Sequence, residues 1–277
     1  FHKPIATVKP GETIAIHTVD AFENKMTPDV KKFSDVCTIP FVNPQTGPVV
    51  VAGAEPGDML EGQILALETR VPWGINNTSP GGGVFSVGYP GVHADDPLLD
   101  IPPGTRHVIR TGMVDGREVA FFSPDIEVPL APFMGILAVA PAPGLGEPGV
   151  TMPGVQSSRP PGSFGGNMDV KDLKAGTTLY LPVFHPGALF YVGDPHSAQG
   201  DGEVSGTAIE QSLSGRFRFI LHEDTPLSMP RAETDTHYIL MGIDLDLDRA
   251  RAYLARERVP LRPSDRERSA GGYVIVR

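Results

Sequence analysis

The chain has 277 residues, of which 40% are hydrophobic, 32 are glycine and 29 are proline, and its net charge is −10. This length is enough for a large hydrophobic core, whereas so much glycine and proline excludes long helices. The negative charge argues against nucleic acid as a partner, and no segment reaches the ~18 apolar residues that a membrane helix needs. We therefore expect a folded protein that binds neither nucleic acid nor a membrane.

Three segments share a pattern of an apolar residue, a short turn that ends in glycine, and then alternating apolar and polar residues. They are residues 8–16, 54–64 and 173–181. Proline or alanine before glycine is typical of a type II turn, in which glycine takes a positive φ, and the alternation predicts a half-buried strand. Further strands are predicted at 47–52, 118–122, 135–140, 188–192 and 216–221.

One helix is predicted near the end of the chain, over residues 246–256. Acidic residues begin this segment, good helix formers follow, and Pro260 ends it. The fold class is therefore mainly β, with antiparallel β-sandwich or jelly-roll and barrel-like units and a short C-terminal α/β element. Residues 1–277 are interpreted as one unit, with a candidate internal boundary in the Pro/Gly-rich segment 141–161.

Several local motifs have simpler explanations than the sites they resemble. Residues 144–149 match G-x-G-x-x-G, but prolines follow where a dinucleotide site needs a helix. The Gly triplet at 81–83 lacks the Lys of a P-loop, and Ser163 lacks the first glycine of a nucleophile elbow. Cys37 is the only cysteine, so it forms no internal disulfide; we expect a buried thiol in a cytoplasmic protein.

The segment 162–210 contains the densest group of reactive side chains. Asp194, His196, Gln199, Asp201 and Glu203 fall within residues 193–203, between glycines that allow sharp turns. Carboxylates and imidazole that converge could bind a divalent cation or form an acid/base pair. The spacing matches no known metal motif, so the residues alone leave a solvated acidic turn equally open.

Four motifs in this segment resemble, in order, the signature of the acetamidase/formamidase family. They are Gly-Gly-Asn-Met-Asp at 165–169, Leu-Pro-Val at 181–183, Gly-Ala-Leu-Phe at 187–190 and Gly-Asp-x-His-x-x-Gln-Gly-Asp-Gly-Glu at 193–203. The openings at 10–13 and 18–22, the stretch 46–51 with 57–58, and residues 132–141 are also similar to this family. The resemblance runs from about residue 8 to 250 and implies hydrolysis of a small linear amide to a carboxylate and ammonia.

The resemblance also implies a polar site. Its members would be Asp20, Asn167, Asp169, Asp194, His196, Gln199, Asp201 and Glu203. Without a plausible serine or cysteine nucleophile, the attacking group would be water, activated by a metal ion or by a carboxylate.

We assign roles to seven of these residues as hypotheses. Asp194, His196 and Asp20 would bind a divalent metal ion, zinc or calcium. Glu203 and Asp169 would be catalytic, with Glu203 as general base and then acid, while Asn167 and Gln199 would hold the substrate amide. The expected partner is a small neutral amide, and we expect a homo-oligomer.

Two other functions remain open at this point. One is hydrolysis of another small C–N substrate, such as a urea-like or carbamoyl compound. The other is a non-enzymatic β-sandwich that binds a ligand, since a fold does not determine a function.

Overall fold

The computed structural model describes residues 2–27, 29–30, 35–37, 42–78, 83, 106–143, 157–244, 246–256, 267–268 and 273–276. Strands dominate this part of the chain, and one short α-helix follows them. The elements are β1 (Ala6–Val8), β2 (Thr13–His17), β3 (Gln45–Val51), β4 (Met59–Thr69), β5 (Trp73–Asn77), β6 (Arg106–Val114), β7 (Arg117–Ser123), β8 (Ile126–Pro129), β9 (Phe133–Ala138), β10 (Gly165–Asn167), β11 (Thr178–Pro182), β12 (Phe190–Ala198), β13 (Ile209–Glu210), β14 (Leu213–His222), β15 (Arg231–Glu233), β16 (Tyr238–Ile243), α1 (Leu247–Arg256), β17 (Glu267–Arg268) and β18 (Tyr273–Val276).

These strands form two sheets. In the first, the order is β1-β3-β12-β13-β5-β6-β7-β8, with β9 paired to β12 and β10 paired to β9. In the second, the order is β17-β18-β16-β15-β11-β4-β14-β2. Within the described residues the pairs are antiparallel except for β1 with β3. The predicted mainly β class is confirmed.

The two sheets share one hydrophobic core. Val192 of β12 and Leu137 of β9 in the first sheet belong to the same buried cluster as Leu60 of β4 and Leu179 of β11 in the second. Aromatic rings join the sheets directly: Phe190 of β12 lies 4.8 Å, centroid to centroid, from Phe219 of β14. Buried and more exposed residues alternate along much of β4 and β14, so the second sheet buries one face against the first.

The three predicted glycine turns are present. Gly11, Gly57 and Gly176 have φ of +88°, +102° and +91°, a region that side-chain-bearing residues rarely adopt. Each turn leads into a strand, β2, β4 and β11 respectively. The predicted helix is also confirmed, as α1. Residues 144–149, most of the candidate boundary at 141–161, and Pro260 lie outside the described residues.

The chain after Phe190 differs from the sequence-based expectation. A strand was predicted to end at residue 192, with a glycine-rich turn after it, whereas β12 continues to Ala198. The extension forms because β9 and then β13 pair with it, and such distant pairing overrides local turn signals. Asp194 and His196 therefore lie on a central strand. No helix in the described part of the chain is long and apolar enough to cross a membrane.

Candidate active site

His196 is the centre of a buried acidic cluster. Its side chain has no solvent exposure, and β12 places Asp194 two residues before it on the same face of the sheet. Strand β13 brings in Glu210, which lies opposite His196 in the register of the two strands. The Phe133 ring of β9 packs edge-on against the imidazole, 5.0 Å away between centroids. The histidine ring is therefore held on several sides.

Three carboxylates face the same imidazole nitrogen. His196 Nε2 lies 3.2 Å from Glu210 Oε2, 3.5 Å from Asp194 Oδ1 and 3.9 Å from Glu203 Oε1. Glu203 comes from a short 3-10 helix, Asp201–Glu203, that follows β12. Asp194, His196 and Glu210 offer one atom each within 4.8 Å of one another, and so do Asp169, His196 and Glu203. Within either group, these atoms are close enough together to bind one metal ion.

Asp169 enters the cluster from the loop after β10. The backbone N–H groups of Met168 and Asp169 both donate to the carbonyl of Gly135 in β9. Gly135 stands opposite Asp194, because its neighbours Met134 and Ile136 pair with Pro195 and Gly193. A side chain at Gly135 would meet Asp169 Oδ1 at 2.6 Å and Asp194 Oδ2 at 2.8 Å. The two carboxylates therefore approach each other over the space that this glycine leaves empty.

Three of the clustered acids have unusual backbone conformations. Asp169, Asp194 and Glu203 have φ of 49°, 52° and 45°, in the left-handed region. Such a conformation costs of the order of 1–3 kcal/mol in a residue other than glycine and persists only where the surroundings impose it. Its repetition at three members of one cluster is typical of a functional site.

Several buried polar atoms in or near this cluster have no hydrogen-bond partner. Among the described residues these atoms include Asp169 Oδ1, His196 Nε2, Glu210 Oε2, Asn167 Oδ1 and Asp20 Oδ2. A buried polar atom with no hydrogen bond costs about 1–3 kcal/mol, so native proteins rarely keep several together. A cation, or a polar substrate with water, would satisfy them.

The burial and crowding of these groups favour their neutral acid forms. Burial, and next the charge of Asp194, raise the pKa of Asp169 to about 8. Burial, and next the charge of Asp169, raise the pKa of Glu203 to about 10. Burial likewise raises the pKa of Glu210. For His196, burial opposes the charged form, but the charges of Glu210 and Asp194 outweigh it and hold its pKa well above the usual value.

Asp20 lies beside this cluster rather than within it. Its Oδ1 accepts hydrogen bonds from the N–H groups of Phe22 and Asn24, at 2.9 and 2.7 Å, while its Oδ2 is buried without a partner. Burial raises the pKa of Asp20, and the charge of Asp194 adds to this effect. Asp20 does not appear in either close group around His196.

Gln199 contacts two members of the site, whereas Asn167 keeps a free acceptor. Gln199 Oε1 lies 2.9 Å from His196 Nδ1, and Gln199 Nε2 donates to the carbonyl of Asp169 at 2.9 Å. Asn167, at the end of β10, has a buried Oδ1 without a partner. Asp201 points elsewhere: it is half exposed and pairs with Lys171.

The sequence-based site is therefore brought together around His196 by Asp194, Asp169, Glu203 and Gln199. The residue that sequence reasoning missed is Glu210. Its signal was a run of three polar residues, Glu210 to Ser212, between the apolar residues Ile209 and Leu213. All three are buried, which a solvated turn does not explain.

The chain matches the model of the Acetamidase/Formamidase family over residues 2–148 and 150–237. A putative formamidase of Schizosaccharomyces pombe is 30% identical over 242 residues, which cover 72% of this chain and 56% of the relative. The acetamidase of Mycolicibacterium smegmatis is 29% identical over 239 residues, covering 72% of this chain and 58% of the relative. The chain thus spans a little over half the length of these curated relatives.

Solved structures agree with these matches. A crystal structure of an acetamidase from Yersinia enterocolitica superposes with a TM-score of 0.78 at 30% identity, covering 93% of this chain and 73% of the other. An acetamidase from Bacillus halodurans gives a TM-score of 0.77 at 29% identity, covering 98% and 83%. Motifs, fold and family model agree across most of the described residues, and the chain belongs to the acetamidase/formamidase family.

Proposed function

We propose that the protein hydrolyses a small linear amide, of the formamide or acetamide type, to the carboxylate and ammonia. The observation that carries this proposal is the buried cluster around His196, whose unpaired acceptors and donors gather at one point in a member of this family. The two close groups in this cluster consist of His196 and carboxylates, and a carboxylate can activate water as a general base.

A divalent ion fits the donor set at His196. His196 Nε2 and Glu210 Oε2 are buried without hydrogen bonds, and Asp194 Oδ1 lies 3.5 Å from the same nitrogen. We propose these three residues as ligands, with Asp20 as a further carboxylate beside Asp194. An imidazole ligand among carboxylates favours zinc or another transition metal over calcium, which prefers oxygen ligands. Such an ion would polarise the substrate carbonyl and acidify water.

The chain's own acid/base pair is Glu203 with Asp169. Both have raised pKa values, to about 10 and about 8, so in the ion-free cluster both favour the neutral acid form at pH 7. A bound cation would offset the negative charge around them and leave Glu203 ionised. Glu203 then takes a proton from the attacking water and later delivers it to the nitrogen as the C–N bond breaks.

Asn167 is the residue we assign to substrate orientation. Its free Oδ1 can accept a hydrogen bond from the N–H₂ group of a primary amide. The carboxylates around His196 disfavour an anionic substrate and promote departure of the carboxylate product. A small neutral amide is therefore the substrate class that the site fits.

Ammonia release from formamide, acetamide and urea tests the reaction and its alternatives directly. We expect turnover of the two amides in preference to urea; no release from any of them would exclude the proposal. Elemental analysis followed by chelation and metal add-back tests the ion. Full activity in metal-free protein would leave catalysis by the carboxylates alone.

The Glu203→Gln variant tests the acid/base role. Glutamine keeps the shape of glutamate but cannot accept the proton, so we expect kcat/KM to fall by at least ~10²-fold, about 2.7 kcal/mol of barrier. Asp201→Asn is the matched control, because Asp201 lies two residues away on the same 3-10 helix and pairs with Lys171. If Asp201→Asn abolishes turnover and Glu203→Gln does not, the two roles are exchanged.

A further inference from the structure

Gln199 has both ends of its amide engaged inside the protein. It follows directly after β12, and its side chain spans from the His196 ring to the backbone of Asp169. A residue that only held substrate would not need these two contacts.

The Asp169 carbonyl determines which way the Gln199 amide points. A carbonyl oxygen only accepts hydrogen bonds, so the group 2.9 Å from it must be the N–H₂ of Gln199. The Gln199 oxygen therefore faces His196 Nδ1, also at 2.9 Å. Because that oxygen has no proton to donate, Nδ1 must carry the hydrogen.

The other ring nitrogen, Nε2, therefore carries no proton when the imidazole is neutral. A neutral imidazole has one N–H, so a proton on Nδ1 leaves the lone pair on Nε2. Nε2 is the atom that faces Glu210, Asp194 and Glu203 and has no hydrogen bond. A lone pair among carboxylates is suited to a cation, whereas the other tautomer would present an N–H to it.

We propose that Gln199 is a positioning residue that keeps the neutral His196 protonated on Nδ1 and so leaves Nε2 unprotonated for a divalent cation. The use made of Nε2 rests on the proposed function. By holding the Asp169 carbonyl at the same time, Gln199 also links the imidazole to the left-handed backbone of Asp169. The Gln199 side chain thereby fixes the position of the His196 ring relative to Asp169.

Two variants distinguish the hydrogen bond of Gln199 to His196 from its hydrogen bond to Asp169. Gln199→Met keeps the length of the side chain but removes both hydrogen bonds. Gln199→Glu keeps an acceptor for Nδ1 and loses the donor to Asp169. Gln63→Met is the control for replacing a hydrogen-bonded glutamine by methionine, because Gln63 bonds to Glu61 in the other sheet, away from His196.

The first readout is zinc affinity, measured by competition with a chelator on the full chain. Removing such an outer partner of a metal-bound histidine typically weakens metal binding by about 10–100-fold, which we expect for Gln199→Met. Gln199→Glu should retain most of the affinity, and Gln63→Met all of it. Wild-type affinity in Gln199→Met would overturn the proposal.

The second readout is the His196 tautomer, from nitrogen-15 NMR of the imidazole, with its signals identified by their loss in His196→Asn. In the zinc-bound wild type, where the ring is neutral, we expect the proton on Nδ1, and in Gln199→Met we expect a shifted or mixed tautomer. A neutral wild-type ring with its proton on Nε2 would refute the assignment. If the wild type binds no zinc, the metal hypothesis is wrong. The tautomer can then still be measured in ion-free protein at alkaline pH, and this spectrum tests the role of Gln199 independently.

Discussion

Gly135 offers the sharpest test of the site, because a single methyl group there would stand between two of its carboxylates. In a Gly135→Ala variant the new carbon would lie 2.6 Å from Asp169 Oδ1, 2.8 Å from Asp194 Oδ2 and 3.0 Å from the Asp194 carbonyl. The backbone of Gly135 cannot retreat easily, since it lies in β9 between β10 and β12. We therefore expect the carboxylates to move.

The size of this displacement follows from the contact distances. Ordinary contacts of a β-carbon begin at 3.4 Å, so the two carboxylate oxygens must retreat by roughly 0.8 and 0.6 Å. Because a misplacement of about 1 Å can cost 10²-fold in rate, we expect kcat/KM to fall by about 10²-fold. Overpacking of this kind typically costs 1–3 kcal/mol of stability, partly offset by the ~0.4–1 kcal/mol that replacing glycine gains through the unfolded chain.

The assay is ammonia release from acetamide, with the unfolding midpoint in urea measured in parallel. Gly62→Ala is the matched control: Gly62 is also a buried strand glycine, but its added carbon would meet Leu179 and Phe219 at ordinary distances of 3.6 and 3.7 Å. We expect this control to keep full activity. A folded Gly135→Ala protein with wild-type kcat/KM would show that the position of these carboxylates does not matter to the reaction.

Two further predictions concern pH and the thiol. Because the pKa values of Asp169 and Glu203 are raised, the ion-free folded state keeps protons that the unfolded chain releases above about pH 5. The free energy of unfolding should therefore fall as the pH rises from 5 to 8. The expected slope is about 1.4 kcal/mol per pH unit for each proton that the folded state keeps. Urea unfolding at several pH values measures this slope, which Glu203→Gln should reduce, and a wild-type slope that is flat or positive would contradict the reasoning. Cys37 packs in a satellite cluster with Phe22 and Met26, and burial raises the pKa of its thiol, so it is a poor nucleophile at neutral pH. Cys37→Ser should keep kcat at a stability cost of about 1–3 kcal/mol, and loss of turnover in the folded variant would point to thiol chemistry.

Local sequence signals predicted the turns and many of the strands. Gly11, Gly57 and Gly176 could be assigned because a positive φ is a property of the residue and its immediate neighbours. The end of β12 could not be predicted in the same way. Gly193 and Pro195 read as turn residues, yet Ile136 and Met134 of a strand about sixty residues earlier pair with them.

The candidate site likewise contains residues that the sequence could predict and one that depends on distant strand pairing. Asp194, His196 and Glu203 could be placed in the candidate site because they belong to one continuous motif that resembles a known family. Glu210 lies outside that motif and reaches His196 only through the pairing of β13 with β12. Which residue a neighbouring strand contributes to such a cluster depends on sheet register, which a single sequence does not reveal.

The left-handed backbone at Asp169, Asp194 and Glu203 has a consequence for how this protein changes over evolutionary time. Asparagine and glycine adopt that conformation with less strain than most residues, and neither adds a negative charge to the crowded cluster. Asp169→Gly would therefore relieve both the backbone strain and the mutual repulsion of the acids, whereas Asp194→Asn would relieve the repulsion alone. Replacements that remove these acids therefore tend to stabilise the protein, so the acids would stay in place only where selection acts on them.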